Sequence, residues 1–296
     1  MSQTITALAP AKLNLFLHVV GRRPDGYHLL QTVFVLLDIA DSIRFTLRND
    51  GMIRRVSNLP GVNEADDLVV RAAKVLKREA ERKFATDDVG RVPGVDIEVE
   101  KRIPMGGGLG GGSSDAATAL VTLNAMWTLG FSKEKLGELG LALGADVPFF
   151  VFGHDAFAEG IGERLQAVEL PRWWYLVLTP PVNVSTPFVF GHAELTRDTF
   201  PLKITDFSAH GFVNTQNDLQ SVVLKEFPAV SVYLEALRKV SQKSVFGARM
   251  TGSGACVFAA FELEQDARTA FQKLPTSFQG FVAQGLSRHG MFDPAR

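Results

Sequence analysis

The sequence predicts an α+β protein in which helices pack over mainly antiparallel β-sheet. Residues 95–100 alternate strictly between apolar and charged side chains, the pattern of a strand with one buried face. A glycine-rich run at 104–115 leads directly into an apolar segment of good helix formers. From about residue 174 onward, short apolar runs alternate with helical patterns. The length of 296 residues suggests two domains or one large one, and the expected division is into residues 1–158 and 159–296.

The first part of the chain predicts three strands and an amphipathic helix. Residues 4–20 form the first strand, 32–37 and 42–47 the next two, and 68–80 the helix, with a polar turn at 86–94. Strict alternation would give the first strand one face of Leu13, Leu15, Leu17 and Val19, and another of Lys12, Asn14, Phe16 and His18. A lysine and an asparagine on one strand face indicate either a functional surface or a solvent-exposed edge.

A turn cluster with Pro-Asp-Gly at its centre occupies residues 21–28. Tyr27 and His28 follow this tight turn directly, where side chains are held in place without being covered. They are therefore candidate binding residues. The alternative is an ordinary hairpin connection.

A lone acidic residue follows the helices of the central region. The helix after the glycine run is expected to end near Gly130, and a second helix covers about 133–143. Asp146 is the only charge between 139 and 152. Its carboxylate could cap the helix that begins beside it, an arrangement that the following proline permits. It could also act as a general base, because apolar surroundings raise the pKa of a carboxyl unless a cation is near.

The second half predicts short strands and helices in turn. The expected strands are 174–178, 246–250, 255–261 and 281–284, and the expected helices are 217–226, 229–240 and 265–273. Residues 184–190 predict a loop with exposed aromatic side chains, and residues 251–254 a second, smaller glycine turn. The change of domain is expected between about 153 and 170.

Composition excludes several classes of protein. Thirty-one basic against 32 acidic residues leave no field of one sign, so neither nucleic acid nor a membrane surface is an expected partner. No apolar stretch reaches the roughly 18 residues that span a bilayer, and the start lacks signal-peptide features. The single cysteine, Cys256, fits a reducing cytoplasm and excludes a cysteine-based metal cluster. We expect a cytoplasmic protein with a small-molecule substrate, either a monomer or a weak homodimer.

The glycine run is the strongest single indication of function. Six of the seven residues from Gly106 to Gly112 are glycine, which cannot fill a core but lets a ligand approach bare backbone. Ser113, Ser114 and Asp115, which follow, are residue types that begin helices. Unpaired N–H groups and the positive end of the helix dipole attract an anion there. The expected ligand group is a phosphate.

Two known phosphate motifs fit this loop poorly. Gly106, Gly108 and Gly111 match the dinucleotide fingerprint, but the preceding strand alternates and no acidic residue closes a second strand about 20 residues later. The P-loop pattern fails because no Lys-Ser or Lys-Thr follows the last glycine. A nicotinamide-dependent oxidoreductase and a non-catalytic nucleotide-binding module remain as alternatives.

Three motifs together resemble those of the GHMP kinases, the small-molecule kinases that include homoserine kinase and mevalonate kinase. They are Pro10-Ala11-Lys12-Leu13-Asn14, the loop from Pro104 to Ala117, and Thr251-Gly252-Ser253-Gly254-Ala255. Residues 21–28 and 144–150 are also similar to one branch of that family, whose acceptor carries a cytidine diphosphate group. The resemblance covers about residues 9–286. It implies an N-terminal α/β domain and a C-terminal ferredoxin-like domain, with ATP, Mg²⁺ and the acceptor between them.

The resemblance also implies roles for individual residues. Asp146 matches the catalytic aspartate and Lys12 the lysine beside it. Tyr27 and Phe190 match aromatic residues that enclose the cytosine, and His28 matches a residue that hydrogen-bonds its edge. The substrate contacts are completed by Asp146 itself, Asn14 and Thr186. The implied ATP contacts are Leu68, Lys101, Pro104, Gly106, Gly107, Gly108, Gly110, Gly111, Gly112, Ser113, Ser114 and Pro187, and no protein side chain is implied as a metal ligand.

The implied reaction is transfer of the ATP γ-phosphate to a hydroxyl of the acceptor. Loop amides and Mg²⁺ would hold the β- and γ-phosphates, Asp146 would accept the hydroxyl proton, and Lys12 would keep Asp146 ionised. Homoserine or mevalonate kinase activity is a weaker alternative, because neither accounts for the aromatic and histidine residues together. Asp67 departs from the family pattern, in which asparagine often precedes the next leucine. If its side chain faces the nucleotide, the added charge would alter the adenine contacts.

Overall fold

The computed structural model describes residues 3–84, 92–204, 211–212 and 215–290. The strands are β1 (Thr4–Arg22), β2 (His28–Arg48), β3 (Ile53–Arg55), β4 (Gly94–Glu100), β5 (Ala156–Gly160), β6 (Arg164–Ala167), β7 (Trp174–Leu178), β8 (Arg249–Met250), β9 (Val257–Phe261) and β10 (Gly280–Leu286). The helices are α1 (Leu68–Lys83), α2 (Gly111–Met126), α3 (Lys133–Leu141), α4 (Val147–Phe152), α5 (Thr186–Gly191), α6 (Gln220–Glu226), α7 (Pro228–Val240) and α8 (Glu264–Gln272). The polar turn expected at 86–94 lies largely outside the described ranges.

A mixed sheet with the strand order β3-β4-β2-β10-β7-β9-β8 runs through both halves of the chain. The long strand β2 is its centre, because it pairs antiparallel with β1, β4, β5 and β10. The pairing of β3 with β4 is parallel. Helices together with a predominantly antiparallel sheet confirm the predicted α+β class.

The N-terminal half buries its helices against β1 and β2. Asp67 caps helix α1, since its Oδ1 accepts the Val69 N–H at 3.0 Å, and the apolar face of the helix is buried from Val69 to Ala80. Helix α2 packs against α1, α4 and β1. It is rich in alanine on the buried side, which lets the neighbouring elements approach closely. None of the helices in the described ranges is both long and apolar enough to cross a bilayer.

The C-terminal half has ferredoxin-like topology. Its core elements occur in the chain as β7, α7, β8, β9, α8 and β10, with α5 and α6 between β7 and α7, and its strands lie in the order β10-β7-β9-β8. This is the βαββαβ arrangement that the resemblance implies. Helices α7 and α8 pack on the sheet of this half, and Leu176, Leu234 and Ala267 belong to the core between them.

The two halves share a buried seam. Tyr175 and Phe258 of the C-terminal sheet belong to the same core cluster as Leu13 and Val33 of the N-terminal sheet. The predicted boundary at 158/159 falls inside β5, which pairs with both β2 and β6. We propose that the N-terminal domain extends through β6 and ends after Ala167.

Strand β1 departs from strict alternation. Its pairing with β2 shifts register between Pro10 and Lys12 and again between Asn14 and Leu17. Phe16 therefore belongs to the inner core, whereas Leu17 lines the same cavity as Lys12 and Asn14. The prediction that Phe16 shares a face with Lys12 was wrong, because each extra residue in a strand reverses the alternation. The exposed-edge alternative is also wrong, since Lys12 and Asn14 are each 3% exposed.

Several element boundaries differ from the prediction. The two strands expected at 32–37 and 42–47 are one continuous strand, β2. The stretch 184–190 is not a loop but contains α5, which tolerates Pro187 in its first turn and buries Val189. The expected strand at 246–250 is limited to its last two residues. Helix α2 ends at Met126, earlier than Gly130.

A buried carboxyl lies against β2 near the seam. Asp155 is 3% exposed, and its Oδ1 accepts the Leu36 N–H at 3.0 Å. Burial raises the pKa of Asp155 to about 7, whereas an aspartic acid in an unfolded chain titrates near pH 4, at about 3.9. The folded state therefore favours the protonated acid. The stability that the protonated Asp155 carboxyl contributes is complete below about pH 4 and is lost as the pH rises through 7.

Asp155→Asn should gain stability relative to the wild type as the pH rises. Asparagine carries no charge, and its Oδ1 can accept the same backbone N–H. The free energy of unfolding of the variant, relative to that of the wild type, should rise by about 2–4 kcal/mol between about pH 4 and 8. Urea unfolding at each pH measures both values. Asp38→Asn is the matched control, because exposed Asp38 accepts a strand N–H from Gln284 at 2.8 Å. A difference that does not change with pH would contradict the prediction.

Candidate active site

A cavity of about 990 Å³ lies between the two halves and is lined by both. The N-terminal half contributes β1, the β1–β2 turn, the glycine loop and the start of α4. The C-terminal half contributes α5 and the turn before β9. The volume of the cavity is at the upper end of the range for small-molecule pockets. Most of the predicted site residues meet here: Lys12, Asn14, Tyr27, His28, Leu68, Lys101, Pro104, Gly106, Gly107, Gly108, Gly110, Gly111, Gly112, Ser113, Asp146, Thr186, Pro187 and Phe190.

Positive φ angles and close packing explain why the loop is made of glycine. Gly108 has φ +76°, and a Cβ there would lie 2.6 Å from the backbone oxygen of Thr251. Gly110 has φ +74° and precedes α2, and its Cβ would lie 2.9 Å from the Phe150 ring. Only glycine fits both positions without displacing its neighbours. The loop is therefore closely packed on one side and open to the cavity on the other.

The open side of the loop can bind an anion. Gly111, Gly112 and Ser113 form the first turn of α2 and line the cavity. N–H groups in a first helical turn have no acceptor inside the helix, and the helix dipole adds positive potential. The loop itself is anchored from both halves. The Lys12 N–H donates to the Leu109 oxygen at 3.0 Å, and the Cys256 N–H donates to the Gly107 oxygen at 3.2 Å.

Ser114 departs from its predicted role as an ATP contact. Its backbone N–H donates to the Gly110 oxygen at 2.9 Å inside the helix, and its side chain is fully buried. It does not line the cavity. The helix begins earlier than the serines suggest, because Gly110 occupies the capping position, and this turns Ser114 inward. The geometry therefore does not support Ser114 as a contact.

The acidic residue before α4 pairs with the lysine of β1. Asp146 holds the predicted N-cap position of α4, but its side chain makes no capping hydrogen bond. Its Oδ2 lies 3.3 Å from Lys12 Nζ. The Lys12 side chain is 4% exposed and that of Asp146 is 33% exposed. A buried ammonium thus faces a carboxylate that is open to the cavity.

Hydrogen bonds orient Lys12 from behind. Lys12 Nζ donates to Asn14 Oδ1 at 2.5 Å, and Asn14 Nδ2 donates to Thr32 Oγ1 at 3.0 Å. The Thr32 hydroxyl in turn donates to the Phe16 oxygen. Sequence reasoning missed Thr32, which lies in an apolar run with no distinguishing signal. The chain of bonds fixes the ammonium position beside Asp146.

Aromatic and imidazole rings gather at the end of the cavity formed by the β1–β2 turn and α5. Tyr27 is 60% exposed, whereas His28 is only 8% exposed, so the prediction of exposure was right for Tyr27 alone. The rings of His28 and Phe190 lie 5.1 Å apart with an interplanar angle of 33°. Open ring faces at a cavity wall can stack on a planar ligand.

Charged groups at the side of the loop neutralise one another. The Lys101 ammonium donates to Asp115 Oδ2 at 2.7 Å and also to Asp41. Burial raises the pKa of Asp115 to about 7, and the Lys101 charge opposes this rise. Asp67 lines the cavity, and its Oδ2 accepts from Arg55 Nη1 at 2.8 Å. The charge that departs from the family pattern is therefore paired with Arg55.

Comparisons with known proteins agree with this geometry. The family profile described as "GHMP kinases N terminal domain" matches residues 67–154, and "GHMP kinases C terminal" matches residues 203–280. The 4-diphosphocytidyl-2-C-methyl-D-erythritol kinase of Nitrosospira multiformis is 56% identical over 96% of this chain and 92% of its own length. The chain belongs to the 4-diphosphocytidyl-2-C-methyl-D-erythritol kinase family of GHMP kinases. The Burkholderia mallei member is 53% identical over 96% of this chain and 95% of its own.

A solved structure extends the family likeness to three dimensions. A crystal structure of 4-(cytidine 5′-diphospho)-2C-methyl-D-erythritol kinase has a TM-score of 0.75 and 33% identity, and covers 95% of this chain and 99% of that one. This chain is thus a small-molecule kinase, and the oxidoreductase and non-catalytic interpretations were wrong. GHMP kinases use ATP as phosphate donor, which agrees with the anion-binding loop.

Proposed function

We propose that the chain transfers the γ-phosphate of ATP to the 2-hydroxyl of 4-diphosphocytidyl-2-C-methyl-D-erythritol, giving the 2-phosphate and ADP. This is a step of the non-mevalonate route to isoprenoid precursors. The relatives reported above carry the name of this activity. The observation that carries the proposal is the Lys12–Asp146 pair, 3.3 Å apart, in one cavity with the glycine loop and the Tyr27, His28 and Phe190 rings.

Different residues of the site have different roles in phosphoryl transfer. Amide groups of Gly111, Gly112 and Ser113 hold the ATP phosphates, since phosphoryl transfer depends mainly on positioning and charge neutralisation. Asp146 accepts the proton of the acceptor hydroxyl. Lys12 pairs with the Asp146 carboxylate and balances the negative charge that moves with the phosphoryl group.

The site suits a magnesium ion that arrives with ATP. In the described ranges no group of three or more His, Cys, Asp or Glu side chains is arranged to hold a metal. Mg²⁺ is commonly held by one or two protein oxygens together with substrate phosphates. Ser113 and Asp146 are oxygen-bearing side chains that line the cavity. When bound, the ion would neutralise charge on the β- and γ-phosphates.

Phe190→Ala should raise KM for the acceptor and leave KM for ATP near its wild-type value. The change removes one ring face of the proposed cytosine site and its apolar contact area. Loss of aromatic contact predicts about a tenfold increase in acceptor KM with little change in kcat, measured by steady-state kinetics. Phe188→Ala is the control, because exposed Phe188 also lies on α5 but does not line the cavity. An equal rise in both KM values would contradict the assignment.

An acceptor panel tests the proposed reaction directly. The enzyme is incubated with Mg-ATP and, separately, with the diphosphocytidyl substrate, free methylerythritol phosphate, homoserine and mevalonate, and ADP formation is measured. We expect rapid turnover with the diphosphocytidyl substrate alone. Equal kcat/KM values for this substrate and for free methylerythritol phosphate would show that the enzyme does not recognise the cytidine portion. Preference for homoserine or mevalonate would overturn the proposal.

A further inference from the structure

Arg197 connects the ring-bearing elements of the two halves. Its Nε donates to His28 Nε2 at 3.0 Å. The rest of its guanidinium donates to backbone oxygens on and just after α5: Phe190 at 3.2 Å, His192 at 2.7 Å and Leu195 at 3.0 Å. One planar group thus binds the first residue of β2 and the end of α5 simultaneously. Nothing in the sequence pattern singles this arginine out.

The contact with Arg197 determines the protonation state of His28. An arginine side chain can only donate hydrogen bonds, so Nε2 of His28 must be the acceptor. The imidazole is therefore neutral and carries its proton on Nδ1. Burial, reinforced by the charges of Arg197 and Arg22, lowers the pKa of His28. Both the charge and the tautomer of His28 follow from its neighbours.

Arg197 also sets the relative position of two rings that line the cavity. His28 and Phe190 are 5.1 Å apart, and they belong to different halves of the molecule. Arg197 binds one through its ring nitrogen and the other through its backbone oxygen. Arg197 itself does not line the cavity. Any effect on a ligand must therefore act through these two residues.

We propose that Arg197 is a positioning residue for the acceptor's base, holding neutral His28 in one tautomer and one orientation against Phe190. The proposal rests on the proposed function, in which these rings surround a cytosine. Two partners of Arg197, His28 and Phe190, line the cavity at the end formed by the β1–β2 turn and α5, and none of its partners belongs to the glycine loop. Its removal should therefore affect binding of the acceptor and leave ATP binding intact.

Steady-state kinetics of Arg197→Ala, Arg197→Lys and Arg48→Ala test the proposal. Removal of hydrogen bonds from a charged donor predicts an acceptor KM at least about tenfold higher in Arg197→Ala, with kcat and KM for ATP near wild type. Lysine lacks the planar fork and should recover only part of the loss. The control Arg48→Ala removes bonds to Asp50 and Asp96, neither of which lines the cavity, so its acceptor KM should not change.

Two results would overturn the proposal in these kinetics. One is an acceptor KM for Arg197→Ala equal to that of the wild type. The other is an equal rise in both KM values, the result expected if Arg197 only stabilises the fold. Melting temperatures of all variants are measured alongside, so that a fold effect shared with Arg48→Ala is recognised.

Two further measurements do not depend on turnover. Nitrogen-15 NMR should show His28 protonated on Nδ1 in the wild type, and its pKa should be higher in Arg197→Ala. Calorimetry with cytidine 5′-diphosphate should show weaker binding to Arg197→Ala than to the wild type. If the wild type fails to phosphorylate the acceptor, the proposed function fails while these data still decide the role of Arg197. A proton on Nε2, or equal affinities for cytidine 5′-diphosphate, would refute that role.

Discussion

Asp146→Asn lowers kcat by at least about 100-fold, the scale expected when a general base is lost, while Mg-ATP still binds. Asparagine has nearly the same shape and occupies the same position before α4, where the native side chain makes no capping bond. The fold should therefore be unaffected. What is lost is the oxygen charge that accepts the hydroxyl proton and pairs with Lys12 at 3.3 Å. Single-turnover kinetics and ATP titration measure the two effects separately.

Asp66→Asn is the matched control for this prediction. Asp66 is an exposed carboxylate that lines the same cavity, and the same chemical change there should leave kcat close to wild type. Near-normal turnover in Asp146→Asn would rule out its role as base. Loss of ATP binding together with turnover would indicate that Asp146 mainly organises the nucleotide site.

Gly108→Ala should raise KM for ATP by about tenfold or more, because alanine is strained at φ +76° by about 1–2 kcal/mol. The new Cβ would also lie 2.6 Å from the Thr251 backbone oxygen. A backbone atom cannot move aside as a flexible side chain can. Either the loop or the turn before β9 must shift, and the amides that hold phosphate shift with it. Nucleotide titration and steady-state kinetics measure the effect.

Gly137→Ala provides the control for Gly108→Ala. Gly137 lies in α3, a Cβ there would meet nothing within 4 Å, and its φ is not positive. Alanine in a helix interior should stabilise the fold by about 0.5–1 kcal/mol and leave KM for ATP unchanged. An unchanged KM for ATP in Gly108→Ala would show that this loop does not hold the phosphates.

Local patterns predicted most elements because each depends on neighbouring residues. Helix α1 was predicted from apolar periodicity and helices α3, α7 and α8 from shorter helical patterns, and β4 and β7 from alternation or short apolar runs. Helix α5 was missed because two prolines and an exposed phenylalanine in 181–190 resemble a loop. Burial of Val189 in the C-terminal core and the Arg197 bonds to the oxygens of Phe190 and His192 help to stabilise so short a helix.

The candidate site could be predicted in its residues but only partly in its connections. Resemblance indicated Lys12 beside Asp146, and the fold adds that the Asp146 side chain makes this 3.3 Å contact without a capping bond to α4. Asp67 departs from the family pattern, and only the fold shows that it lines the cavity while paired with Arg55. Both outcomes depend on contacts between side chains that are distant in the chain.

The sequence by itself determined the glycine-rich loop and the tight turn before Tyr27, because glycine and proline shape the backbone through their own conformational preferences. The tertiary structure alone decided the register of β1, the turning of Ser114 into the core, and the contact of Arg197 with His28. Those features depend on how strands pair and helices pack across the whole chain. No local pattern of residues encodes such distances.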